Sequence, residues 1–302
     1  MLRILSNHKK PSSYLILWLA LSLTILLLST LVFISNHFTH QYIGNNYFPK
    51  NSFFFAIFCL LFLLGAHILN PNTEESAFSQ FTLELMLFFL TMVSMTYATN
   101  AVQLTPFPLI DSYLISLEQS IGFSLTKVMH WTYQQPWLSY LLVFSYGTLA
   151  MQMAFIPLLI MLVIFFEPNR SRERLRRYYC LMLLTTLIGF SIYYFFPTAA
   201  PAAFLKSPHF TAEQYATGLK FMEIRHYIPP STLKGGLIAL PSHHTIWAIL
   251  CLYLVYPYKT AFYLLLVNNC LLIVACVLLG WHYPIDIFAA LLITWLSFIL
   301  IK

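Results

Sequence analysis

Two short clusters near the C-terminus gather the side chains that phosphoryl chemistry needs. The first is Pro241-Ser242-His243-His244-Thr245, and the second is His282-Tyr283-Pro284-Ile285-Asp286. Asp286 is the only carboxylate side chain after Glu223. An ionisable residue set in apolar helix is costly, so as a rule it has a partner and a function. The i,i+4 spacing lets Asp286 accept a hydrogen bond from His282 Nδ1. Such a contact fixes the tautomer, directs Nε2 outward and stabilises an imidazolium. Because the residue before a proline avoids α geometry, His282 is expected at the helix cap rather than inside the helix. Pro-Ser at the start of an apolar run is a helix-opening pattern whose amides and dipole attract an anion such as phosphate. Ser242 could add a hydroxyl donor, and a nearby histidine could protonate a departing oxygen. The competing plain reading is an ordinary cap with interfacial histidines, and a buried aspartate satisfied by its neighbour for packing.

The elements that must position these clusters are helices in lipid. Of 302 residues, 59% are hydrophobic and only 9% charged. A soluble domain carries about a quarter charged residues, so the chain reads as an all-α integral membrane protein. The net charge of +6 follows the pattern of cytoplasmic loops and does not argue for nucleic acid. Five cysteines lie in apolar runs without a CxxC pair, which predicts buried structural thiols and neither a disulfide framework nor a zinc knuckle. Apolar runs long enough to span recur at 14–35, 52–70, 81–103, 137–166, 178–196, 241–257, 260–280 and 284–301. The first follows Arg3, Lys9 and Lys10, but its length and the lack of a cleavage pattern suit a retained span rather than a signal peptide.

Lysine and arginine counts orient the chain. With the N-terminus inside, ten of the sixteen basic residues fall on the cytoplasmic side, dominated by the run Arg170 to Arg177. Both clusters then reach the opposite, extracytoplasmic face, with both termini cytoplasmic, as in a bacterial inner membrane. Residues 104–136 are expected along the interface. The stretch 197–240, punctuated by prolines and glycines, reads as a long outer loop leading into the first cluster. Glu84 reads as a snorkelling acid near a helix end, and His67 as a packing histidine.

The pairing of Pro-Ser-x-His with a later His-x-x-x-Asp resembles the type 2 phosphatidic acid phosphatase superfamily, membrane-embedded and metal-independent. It is most similar to the branch of inositolphosphorylceramide and sphingomyelin synthases. Phe196-Pro-Thr-Ala-Ala-Pro201 resembles a Phe-Pro-Thr-Ala-Pro-Pro segment there, and Gly235-Gly-Leu-Ile-Ala-Leu-Pro-Ser242 the approach to its serine. His282-Tyr-Pro-Ile-Asp286 is similar to the His-Tyr-Thr-Ile-Asp of sphingomyelin synthases. The resemblance covers roughly residues 81–301, making 81–302 the expected core and 1–80 two additional spans. It implies a six-helix core and a lipid phosphatase or phosphotransferase working through a phosphohistidine. By the same resemblance His282 is the nucleophile, Asp286 its orienting partner, His244 the acid and base, and Ser242 a phosphate ligand. His243 falls at the variable position. Water or an alcohol such as inositol is the implied acceptor, and no cofactor or metal is called for.

The chain departs from that pattern in two places. The phosphatases carry Lys-x6-Arg-Pro, whereas no Arg-Pro dipeptide occurs here, and Ala275-Cys276 stands where they carry Ser-Arg. Phosphate clamping therefore falls to loop cations, with Lys234 nearest the serine and Arg225 offering bidentate geometry, alongside Lys206 and Lys220. Two rival readings use the same residues. One is a transporter with the His-Asp pair as proton relay. The other is a zinc site from His243, His244, His282 and Asp286, which no HExxH motif supports.

Overall fold

The computed structural model describes residues 13–40, 50–69, 77–167, 172–232 and 238–302. Among the described residues the chain is all-helical. The long helices are α1 (Ser13–His40), α2 (Lys50–Leu69) and α3 (Ala77–Val102). They are followed by two short helices, α4 (Asp111–Ser120) and α5 (Leu125–Tyr133). Then come α6 (Pro136–Gly147), α7 (Leu149–Phe166), α8 (Glu173–Phe195), the four-residue α9 (Pro201–Phe204) and α10 (Ala212–Arg225). The C-terminal part holds α11 (His243–Val255), α12 (Lys259–Leu278) and α13 (Pro284–Leu300). Five of these, α1, α3, α7, α8 and α12, are long and apolar enough to cross a membrane, and α11 and α13 are shorter apolar helices. With Leu, Phe and Ile exposed along their outer faces, the molecule is a multi-pass membrane protein.

Helix α8 is the central post. It packs against α1, α3, α11 and α13, and residues 178–183 on it are wholly buried. At its upper end Gly189 lets the start of α11 come close: a Cβ there would lie 3.0 Å from Pro241 Cγ and 3.2 Å from His243 Cε1. A buried polar strand of contacts ties α7, α11 and α12 together. Gln152 donates to Asn269 Oδ1 at 2.8 Å, and Asn269 donates to the Ala248 carbonyl at 2.8 Å. In an apolar surround such paired amides fix which helix faces meet.

At the opposite end, arginines from the start of α8 satisfy helix C-termini. Arg177 donates to the carbonyls of Ile301 and Phe298, and Arg174 to that of Tyr253. Cations suit the carbonyl-rich ends of helices.

Four expectations change. The 137–166 run is two helices, because α6 ends at Gly147 and α7 starts after Thr148, whose hydroxyl bonds back to the Ser145 carbonyl. Residues 197–240 are not one loop: Thr211 and Gln214 form a reciprocal capping box that starts α10. Glu84 does not snorkel. It is 2% exposed, and Arg176 grips its Oε1 from Nη2 at 2.6 Å and from Nε at 2.7 Å. The helix supplies no route to water there, so the acid takes an internal partner. Finally, Cys270 is exposed on α12, whereas the other four thiols are buried. Lys234 and the side chain of His67 lie outside the described residues.

Candidate active site

Each cluster enters its helix through a specific local device. Ser242 is the N-cap of α11, and its Oγ accepts from the Thr245 amide at 3.3 Å. The N-cap of α13 is Tyr283, the residue before Pro284, so His282 lies one residue outside the helix rather than at the cap as expected. The acid at the third helical position reaches back: Asp286 Oδ2 accepts from the Tyr283 amide at 3.0 Å. The turn before it is closed by Gly280 at φ +78°, a left-handed geometry suited to glycine. A Cβ on Gly280 would stand 2.4 Å from Met129 Sδ, so no larger residue fits without movement.

The two entrances are joined backbone to backbone, since the Ser242 amide donates to the Asp286 carbonyl at 3.0 Å. This brings the functional side chains together. His282 Nδ1 lies 3.1 Å from Asp286 Oδ2, with both residues buried. The His244 and His282 rings meet edge to face with centroids 5.6 Å apart. Burial lowers the pKa of His282 and so favours the neutral imidazole, opposed by a hydrogen bond to the backbone at Ala239. His244 is held by an aromatic stack: Tyr146 lies over it at 4.6 Å and 18°, and over Trp281 at 5.3 Å and 7°. His243 points elsewhere, against Phe190 and Trp247, with Nδ1 3.2 Å from the Pro241 carbonyl oxygen.

The Phe196–Pro201 segment is part of the same unit. Thr198 Oγ1 accepts from the Leu240 amide at 3.1 Å, one residue before Pro241. The Ala199 amide donates to Asp111 Oδ2 at 2.9 Å, and Tyr283 Oη donates to Asp111 Oδ1 at 3.2 Å. Immediately after these anchors Ala200 adopts φ 70°, ψ 155°, a strained conformation for a residue with a Cβ. Asp111 is buried, and its pKa rises to about 7, chiefly through burial with the charge of Asp286 adding to it. Glu118, two turns further along the same face of α4, also rises to about 7 through burial and the same charge.

The loop cations are dispersed. Arg225 donates from Nη2 to the Phe107 carbonyl at 2.7 Å. Lys206 is exposed, while Lys220 is buried on α10, its pKa lowered to about 8 by desolvation. Among the described residues no group of three or more His, Cys, Asp or Glu side chains is arranged to hold a metal ion. Sequence reasoning missed Tyr146, Trp281, Tyr283 and Asp111. Asp111 carried a usable signal, a lone acid closing the apolar run Thr105-Pro-Phe-Pro-Leu-Ile, whereas nothing near Tyr146 pointed to it.

A bundle of membrane-crossing helices that presents two histidines, a serine cap and a buried acid at one end defines a class: helical integral membrane proteins with a polar reaction centre at a bundle mouth. The chain belongs to the PAP2 superfamily, which it matches over residues 112–300, more than half its length. That superfamily generally comprises phosphatases, and membership points to phosphatase or phosphotransferase chemistry on lipid substrates. Neither the curated proteins nor the solved structures yield a match to this chain.

Proposed function

We propose that the protein is a lipid phosphatase or phosphotransferase that acts on a phospholipid head group or lipid phosphate at the extracytoplasmic face, through a phosphohistidine on His282. The observation that carries this reading is the approach of the His244 and His282 rings to 5.6 Å, with Asp286 bonded behind His282. A phosphorus atom between the rings has a nucleophile on one side and a proton donor on the other.

In the first step His282 Nε2 attacks phosphorus and the bond to the lipid alkoxide breaks. His244, protonated once the anionic phosphate occupies the site, gives its proton to that alkoxide. The imidazolium character gained by His282 is balanced by Asp286 through Nδ1. In the second step His244 takes a proton from water or an alcohol, whose oxygen attacks phosphorus and displaces His282. The first amides of α11 and the Ser242 hydroxyl bind the phosphate oxygens. The Ser242 Oγ already accepts from Thr245, and its own proton faces only Cys276 Sγ at 3.9 Å, a weak acceptor that a phosphate oxygen outcompetes. Arg225 and Lys234 are the proposed phosphate clamps, with Arg225 exchanging its bond to the Phe107 carbonyl for the ligand.

The synthase-like motifs and the missing phosphatase arginine elements favour transfer to an alcohol, inositol or another lipid, over hydrolysis. The test is purified protein with a panel of phospholipids and lipid pyrophosphates, with and without alcohol acceptors. Phosphate release without acceptor indicates hydrolysis, and acceptor-dependent product indicates transfer. His282→Ala is expected to abolish both turnover and the acid-labile phosphoenzyme. Wild-type turnover in that variant overturns the nucleophile assignment, and no turnover of any lipid by the wild type favours a transport protein.

A further inference from the structure

The bundle carries a polar-rimmed cavity at the end remote from the histidines. It has a volume of about 360 Å³ and lies between the start of α1, α7, the start of α8 and the end of α11. Its floor is apolar, with Ile160 and Ile164 from α7 and Leu254 from α11. Its rim carries Arg174 and Arg177, with the exposed Glu173 beside them. Two guanidinium charges thus stand against one carboxylate. Both arginines are held in place rather than waving in water. They lie over the Tyr253 ring at 5.2 Å and 5.5 Å, and their hydrogen bonds go to backbone carbonyls. A guanidinium has five N–H donors, so these contacts leave donors on both groups for a ligand.

We infer that this cavity binds the phosphate of an anionic membrane phospholipid, with the first carbons of an acyl chain along its apolar floor. Charge complementarity selects the occupant. A preset arginine pair at the rim matches a phosphodiester, the apolar floor below it matches hydrocarbon, and the cavity opens where a bundle end meets the lipid head groups. Basic pockets between transmembrane helices are suited to anionic head groups. A free inorganic anion would leave the floor unfilled. The site is separate from the histidine centre, because α8 runs from its N-terminal turn at the cavity to Gly189 beside His243. A bound lipid there would join α7, α8 and α11 at the end where α8 begins.

The experiment uses the full chain in nanodiscs of phosphatidylcholine, with and without phosphatidylglycerol, and counts retained lipid by native mass spectrometry alongside thermal stability. Phosphatidylglycerol is expected to be retained in preference to phosphatidylcholine and to raise the melting temperature, as any ligand of the folded state does. Arg174→Gln removes the charge, and should weaken retention roughly fivefold. Arg174→Lys should restore part of it. Lys259→Gln is the control: it removes the same charge from a residue that sits over Tyr256 outside the cavity. Equal loss in Arg174→Gln and Lys259→Gln would mean diffuse surface attraction and overturn the site. Equal retention of the two lipids, or full stabilisation by inorganic phosphate alone in phosphatidylcholine, would overturn it as well.

Discussion

Asp286→Asn is the most exacting perturbation of the proposed chemistry. Both hydrogen bonds to the carboxylate, from His282 Nδ1 at 3.1 Å and from the Tyr283 amide at 3.0 Å, converge on Oδ2. An asparagine has two ways to sit there. With its oxygen toward His282 it keeps both bonds but loses the negative charge, and its amide nitrogen is buried where the carboxylate Oδ1 has no partner. With its nitrogen toward His282 it turns Nδ1 into an acceptor and moves the ring proton to Nε2, the atom that must attack. Two unit charges about 4 Å apart in a medium of effective dielectric about 20 interact by about 4 kcal/mol. The imidazole gains only part of a unit charge in the transition state, so the expected loss is about 2–4 kcal/mol, or roughly 30- to 10³-fold in kcat. The tautomer error of the second orientation deepens it. The assay is single-turnover phosphoryl release from a short-chain lipid phosphate, with alkaline detergent quench to trap the acid-labile phosphoenzyme. A variant within about threefold of wild type, under about 1 kcal/mol, would refute the pairing of Asp286 with the nucleophile.

Tyr283→Phe removes the hydroxyl that donates to Asp111 and should lower stability by about 1–3 kcal/mol, read as a reduced melting temperature in detergent. Glu118 is raised in the fold to about 7, so its ionisation is less favourable there than in the unfolded chain. Stability should therefore fall as pH rises from about 4.5 towards 7 and level off above, and Glu118→Gln should flatten that slope in pH-dependent melting. Arg176→Ala strands the buried Glu84 and should cost about 3–5 kcal/mol, whereas Glu84→Gln with Arg176→Ala together should recover much of the loss in the same melting assay.

The helical class and the convergence of the two clusters were legible because they rest on strong signals. Apolar runs of spanning length have no other stable form in lipid, and an i,i+4 His-Asp pair split by a proline dictates its own cap. What stayed hidden depends on distant parts of the chain. Tyr146 reaches His244 only because α6 ends at Gly147 and packs along α12, a docking that no local pattern encodes. Asp111 meets Tyr283 across 172 positions of sequence. Glu84 looked like an acid near a helix end because its partner, Arg176, sits in a cluster whose plainest meaning is topology. The polar stretch after Phe196 concealed α10, since proline and glycine punctuation outweighed the single capping box at Thr211 and Gln214.

The amide-to-carbonyl bond between Ser242 and Asp286 involves no side chain. Substitutions on α9, α10 and the segments around them can therefore reshape what enters the mouth of the bundle without loosening the separation between the two imidazoles. A scaffold of that kind tolerates drift in its choice of substrate while the reacting geometry is inherited unchanged. Directed evolution of head-group preference should accordingly find its gains above this bond and its failures at it.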